Sequence, residues 1–192
     1  MTKKIICKMN QKNIEILKRG GVGVIPTDTI YGLACSIFSV VGVKRIYELK
    51  KREENKPPVI IISDISDLEK LGADISPTHL KIIEKYWPGK LTIIFRVSEE
   101  YKYLDKGLGL AIRLPADENL RNILRQTGPL ATTSANYSEQ IPAKNIIEAE
   151  KYFGDKVDFY EDGGNLNSEP STLVKINGDN IEILRQGAVK ID

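Results

Sequence analysis

The spacing of apolar residues along this chain changes period again and again. It moves from a three-to-four repeat to short β-branched runs and back. Ile14, Ile16 and Leu17 stud residues 11–19, with Asn10 suited to cap the start of a helix and Gly20 to end it. Residues 22–25 then read as a short buried strand halted by Pro26. Helical spacing returns over 43–51 through Val43, Ile46, Tyr47 and Leu49, and 58–62 (PVIII) is a run of the central-strand kind. Ser76-Pro77 makes an N-cap and first-position pair for a helix reaching Trp87, which Pro88-Gly89 terminates. Strands are predicted over 91–97 and 109–114, with a strand-like stretch at 129–131. Helices are predicted over 117–126, ended by Gly128, and over 144–153, ended by Gly154. Residues 172–176 and 181–184 flank Asn177-Gly178-Asp179-Asn180, a hairpin signal.

Helices alternating with strands, closed by that hairpin, predict an α/β fold with a twisted mixed sheet and flanking helices. No repeat, low-complexity tract or linker divides the chain, so residues 1–192 are expected to form one domain. A hydrophobic share of 41% and a charged share of 28% belong to a folded globular protein. The 28 basic and 26 acidic residues leave a net charge of only +2, so any nucleic-acid contact must come from a local patch. Cys7 and Cys35 are too few and too far apart for a disulfide framework or zinc site, and suit buried thiols in a reducing compartment. No apolar run reaches the length of about 20 residues that a membrane span needs. The first residues lack the pattern of a secretory signal, and a cytoplasmic location is expected.

Several familiar chemistries are missing. Gly20, Gly21 and Gly23 follow a helix and enter a strand, the reverse of a phosphate-binding loop, and read as a helix end and tight turn. Gly89-Lys90-Leu91-Thr92 also leads into a strand and is no Walker loop. The single histidine, His79, sits early in what reads as a polar-faced helix beside Lys81. With two dispersed cysteines besides, a Ser-His or Cys-His nucleophile or a transition-metal site has no support. Any chemistry must run on charge, hydroxyls and oriented backbone.

Four segments offer such groups. Pro26 to Leu33 (PTDTIYGL) gathers two hydroxyls, a carboxylate and a phenol after a strand, a pattern that suits a ligand site or an ordinary capping turn equally. Lys44, Arg45, Lys50, Lys51, Arg52 and Lys56 crowd a helix end, where cations are favoured in any case. Thr132-Thr133-Ser134-Ala135-Asn136 offers small donors to an anion, or else a polar loop. Arg113 interrupts an apolar strand, so its guanidinium must be paired or face a cleft. Ser171-Thr172 and Arg185, on the two arms of the final hairpin, could reach the same cleft.

In this order, IPTDTIYGL, Lys50-x-Arg52 with KPP behind it, AIRLP, TTSAN, ST and LRQGA resemble the short form of the YrdC/Sua5 family across residues 12–190. The resemblance implies that family's sheet with a concave, positively charged cavity. It implies a nucleotidyltransferase, a threonylcarbamoyl-AMP synthase joining L-threonine, bicarbonate and ATP with release of pyrophosphate. Downstream transferase proteins would use the product for the t6A37 modification of tRNA. Carried over by residue, Thr29, Arg113, Thr132 and Ser171 are implied on the threonine side. Lys50, Arg52, Ser134 and Asn136 are the implied catalytic tetrad around the phosphates, and Lys56, Pro142 and Arg185 are further nucleotide contacts. Mg²⁺ is expected with ATP, without dedicated protein ligands, and tRNA or double-stranded RNA is an implied partner. The chain departs from the family pattern at Glu53, Pro58 and Ile61, and at Glu139, where glycine is common.

That chemistry suits these residues. The threonine amine and bicarbonate form a carbamate whose oxygen attacks the α-phosphorus, so the nucleophile belongs to the substrate and the protein supplies position and charge. Arg52 is expected to grip phosphate with its fork and Lys50 to act as a mobile point charge. The competing reading is a family paralogue that binds RNA or nucleotide without synthase activity. A carbamoyl-handling relative of the hydrogenase-maturation type is a third, though such chains are longer and carry zinc-finger-like cysteines.

Overall fold

The computed structural model describes residues 9–51, 57–105 and 107–191. Its strands are β1 (Gly23–Pro26), β2 (Tyr31–Ser36), β3 (Val59–Ile61), β4 (Leu91–Phe95), β5 (Leu110–Arg113), β6 (Leu130–Ser134), β7 (Phe159–Tyr160), β8 (Thr172–Asn177) and β9 (Asn180–Arg185). Its helices are α1 (Gln11–Lys18), α2 (Val40–Lys50), α3 (Ser66–Lys70), α4 (Pro77–Tyr86), α5 (Lys102–Asp105), α6 (Glu118–Thr127) and α7 (Ile146–Phe153). Among the described residues the strands form one sheet in the order β7-β1-β2-β6-β3-β5-β4-β8-β9. The pairs β7–β1, β3–β5 and β4–β8 are parallel and the rest antiparallel, so the sheet is mixed as expected.

Side chains opposite one another in register share a face, and this splits the core in two. Val24, Leu33, Ile60, Ile112, Ile93 and Val174 line up across one face. They pack with Val43 and Ile46 of α2, Leu68 of α3, Ile82 and Ile83 of α4 and Phe153 of α7. On the other face Ile25, Ala34, Leu130 and Ile61 pack under Leu17 of α1 and Leu120 and Leu124 of α6. Those two helices cover only one end of the strands. Farther along the same face β6 turns from Leu130 to Thr132 and Ser134, with small Ala111 level with Thr132, while Arg113 stands beside Ile61. Uncovered sheet plus polar side chains makes a hollow there.

The helix starts follow their capping residues. Asn10 accepts from Asn13 N at 2.9 Å, Asp117 from Asn119 N at 2.8 Å, and Asn145 from Glu148 N at 2.9 Å.

The structure corrects several expectations. Tyr31, Gly32 and Leu33 begin strand β2, making β1–β2 a hairpin and Thr27–Ile30 its turn. Every β2 position is buried, so the sequence has no polar alternation to reveal it. Thr132, Thr133 and Ser134 are likewise strand rather than loop. α2 begins at Val40, and α3, α5 and β7 were not foreseen. His79 does not lie on a polar face. It is buried against Phe95 at 4.8 Å between ring centroids, and closes a capping box with Ser76.

Candidate active site

The hollow is a cavity of about 280 Å³, lined by residues from β2, β3, β5, β6, β8 and β9 and by the β1–β2 turn. Thr29, Arg113, Thr132, Ser134, Pro142, Ser171 and Arg185 all face it. Residues as far apart in the chain as Thr27 and Arg185 thus meet, because the strand order places β6, β3 and β5 side by side at the centre.

The turn is organised by Thr27. Its hydroxyl donates to Ile30 O at 2.7 Å and accepts from Thr29 N and Ile30 N, each at 3.2 Å. Either hydroxyl can donate across the 2.9 Å contact between the two threonines, and in both arrangements Thr29 keeps a lone pair. Thr29, almost fully buried, therefore presents an oxygen able to accept from a ligand. Thr132 is similarly committed, donating to Val59 O at 2.9 Å.

Arg113 is 3% exposed and donates through Nη1 to Asp28 Oδ1 at 2.5 Å. Asp28's other oxygen accepts from Ala116 N at 3.1 Å. Across the cavity Arg185 donates to Ser171 O through Nε at 3.1 Å and Nη2 at 2.9 Å. Ser171 Oγ lies 2.7 Å from the hydroxyl of fully buried Thr92. Crowding by protein, and then the like charge of Arg113, hold Arg185 below the ordinary guanidinium value. Its surface still opens to solvent. Two guanidiniums and one carboxylate thus stand at this end of the cavity.

At the other end Ser134 joins the cavity to a buried polar knot. Lys50 Nζ donates to Asn136 Oδ1 at 2.6 Å, Ser134 O at 2.8 Å and Ser134 Oγ at 3.2 Å. Ser134 Oγ donates to Asn136 Oδ1 at 2.7 Å, and Asn136 Nδ2 donates to Gln140 O. Lys50 is 3% exposed, so it is no mobile point charge but a fixed one. Arg52 and Lys56, the other expected cations, lie outside the described residues. Arg45, part of the basic run, is committed elsewhere, to Asp158 at 2.6 Å and Lys156 O at 2.5 Å.

Sequence reasoning read Thr27 and Asp28 as either a ligand site or a capping turn bonding backbone amides, which both residues do here, and gave Thr92 no role. A clue existed for Asp28, because a buried strand arginine needs a carboxylate and the neighbouring motif held one. Cys35 is buried and its thiol pushed up to about 12, which leaves it unreactive. Among the described residues no group of three or more His, Cys, Asp or Glu stands close enough to hold a metal ion. No described helix is long and apolar enough to cross a membrane.

The model of the Sua5/YciO/YrdC family, described as "telomere recombination", matches residues 15–187. The chain belongs to this family. Family members similar to it include a putative threonylcarbamoyl-AMP synthase of Methanocaldococcus jannaschii, 34% identical over 94% of this chain and 88% of the relative. The threonylcarbamoyl-AMP synthase of Methylobacillus flagellatus is 32% identical over 83% of this chain and 90% of its own. Among solved structures of the family, Pyrococcus abyssi Sua5 complexed with L-threonine superposes at a TM-score of 0.86 with 28% identity, over 92% of this chain. This chain spans 53% of that one. Escherichia coli YciO superposes at 0.84 with 23% identity over 93% of this chain and 89% of its own, which speaks to the fold alone.

Proposed function

We propose that this protein is a threonylcarbamoyl-AMP synthase, condensing L-threonine, bicarbonate and ATP and releasing pyrophosphate. The observation that carries the reading is the position of Ser134. It belongs to the knot with Lys50 and Asn136, and also lines the cavity that Arg113, Arg185 and Thr29 face. One hollow thus offers guanidinium for a carboxylate and a hydroxyl oxygen for an amine. It also borders a cationic knot suited to phosphate, and the relatives named above carry that activity in their names.

In this reading Arg113 holds the threonine carboxylate and Thr29 accepts from its amine, with Thr132 and Ser171 alongside. The amine and bicarbonate give a carbamate and water. A carbamate oxygen then forms a bond to the α-phosphorus as the bond to pyrophosphate breaks. Lys50, Ser134 and Asn136, with Arg52 and Lys56, keep the phosphates in line, and Pro142 and Arg185 border the nucleotide. Such a step needs positioning and charge neutralisation rather than a protein nucleophile. Mg²⁺ would enter on the triphosphate and neutralise its charge, held by phosphate oxygens and water. The product would pass to transferase proteins acting on tRNA.

The test is to follow pyrophosphate release with ATP, L-threonine and bicarbonate together, and then with each omitted. Release that requires all three is expected. Release indifferent to threonine would refute the assignment.

A further inference from the structure

The buried pair between Arg113 and Asp28 has a consequence for the threonine end of the cavity. Arg113 emerges from β5 with its side chain 4% exposed, and Asp28 sits in the β1–β2 turn with its side chain 8% exposed. Among the described residues Asp28 is the one hydrogen-bond partner of the guanidinium, taken up by Nη1 alone. A guanidinium has five donors in a planar fork, so most of its donors remain for whatever enters the cavity it lines. Asp28 spends its second oxygen on Ala116 N, just beyond β5. One carboxylate therefore ties the turn that carries Thr29 to the strand that carries Arg113. It fixes the spacing between the amine acceptor and the carboxylate clamp.

We propose that Asp28 is a positioning residue. It holds the Arg113 fork and the Thr29 turn at the separation that an α-amino acid needs, and acts on substrate only through them. Without it the arginine faces a like charge at Arg185 with nothing to orient it. The fork would then be presented in many directions, at a cost in binding that its extra freedom does not offset. The inference rests on the threonine reading of the cavity.

Direct titration with L-threonine, and separately with ATP, separates the roles. Asp28→Asn keeps the size and one acceptor but loses the charge. It is expected to weaken L-threonine binding about tenfold and to leave ATP binding within about twofold. Asp28→Ala should weaken threonine further, so that the asparagine variant acts as a partial rescue. In an Arg113→Lys background the asparagine change should cost less than about twofold, since the fork it orients is gone. Unchanged or tighter threonine binding in Asp28→Asn would overturn the proposal, as would an equal loss for ATP or full additivity with Arg113→Lys. A wild-type protein that binds ATP but no threonine would instead overturn the threonine reading itself, and the inference with it.

Discussion

Lys50 Nζ and Asn136 Oδ1 meet at 2.6 Å in a buried site although they stand 86 residues apart in the chain. The lysine ends α2 and the asparagine follows β6, so the bond ties a helix terminus to the loop beyond the central strands. Ser134 completes the unit from both sides. A triad bonded this tightly should behave as one group. Lys50→Ala and Asn136→Ala are each expected to slow pyrophosphate release by about 10²–10³, the usual loss for one electrostatic contact to the reacting centre. The double variant should be little worse than either single one. Lys50→Arg should not rescue, because a planar fork cannot place three donors where an ammonium does. Rates within a few-fold of wild type in folded variants would remove the knot from the mechanism.

Gly187 ties the chain's end to the cavity. A Cβ there would lie 2.3 Å from Pro170 O and 2.7 Å from Ser171 C and O, all backbone atoms unable to step aside. Pro170 and Ser171 line the cavity, and Ser171 O is the acceptor for Arg185. Gly187→Ala should therefore cost about 1–3 kcal/mol of stability through overpacking. It should also weaken threonine more than ATP. Melting curves and paired titrations check both. An unchanged melting temperature would show that the backbone yields without strain.

Much of this was legible in the chain because the signals are local. Asn10, Ser76 and Asp117 cap the helices as their residue types require, and Asn177 to Asn180 turns the last hairpin. A strand arginine and clustered hydroxyls are conspicuous in the same way, but the roles given to Thr29, Thr132, Lys50 and Pro142 came from the family resemblance alone. What could not be read was what each one touches. That Asp28 pairs with Arg113 follows from the packing of a turn against a strand 85 positions away. β2 escaped notice because burial on both faces erases alternation.

Glu139, where the family resemblance implies glycine, adopts a backbone conformation that carries an energetic cost. It holds φ at +67°, a left-handed conformation that costs an L-residue about 1–2 kcal/mol and glycine almost nothing. Glycine also adds about 0.5–1 kcal/mol of unfolded-chain entropy, which takes back part of the gain. Glu139→Gly should then stabilise by about 0.5–1 kcal/mol, with pyrophosphate release unchanged, as its side chain is exposed. Chemical denaturation measures this directly. Destabilisation would mean that the glutamate makes a compensating interaction.

The chain's single histidine gives stability a pH dependence of known sign. His79 Nδ1 accepts from Ser76 N at 3.2 Å and lies 2.7 Å from Ser76 Oγ, so the capping box requires that nitrogen unprotonated. Burial holds the imidazole below its ordinary value, opposed by the Ile94 carbonyl and the charge of Asp74. Nε2 is buried and, among the described residues, has no partner in hydrogen-bonding geometry. The folded state thus resists a proton that the unfolded state accepts near pH 6.5. Stability should be fully present above that pH and fall as pH drops below it, by at most about 1.4 kcal/mol per unit, until the folded value is reached. Because carboxylates titrate lower, the slope between about pH 6.5 and 5 belongs mainly to this one group. Urea unfolding at pH 7.5, 6.0 and 5.0 should show the decline in wild type and lose it in His79→Gln. A wild-type protein that gained stability on acidification over that range would show that the imidazole takes its proton in place, with the capping box rebuilt around it.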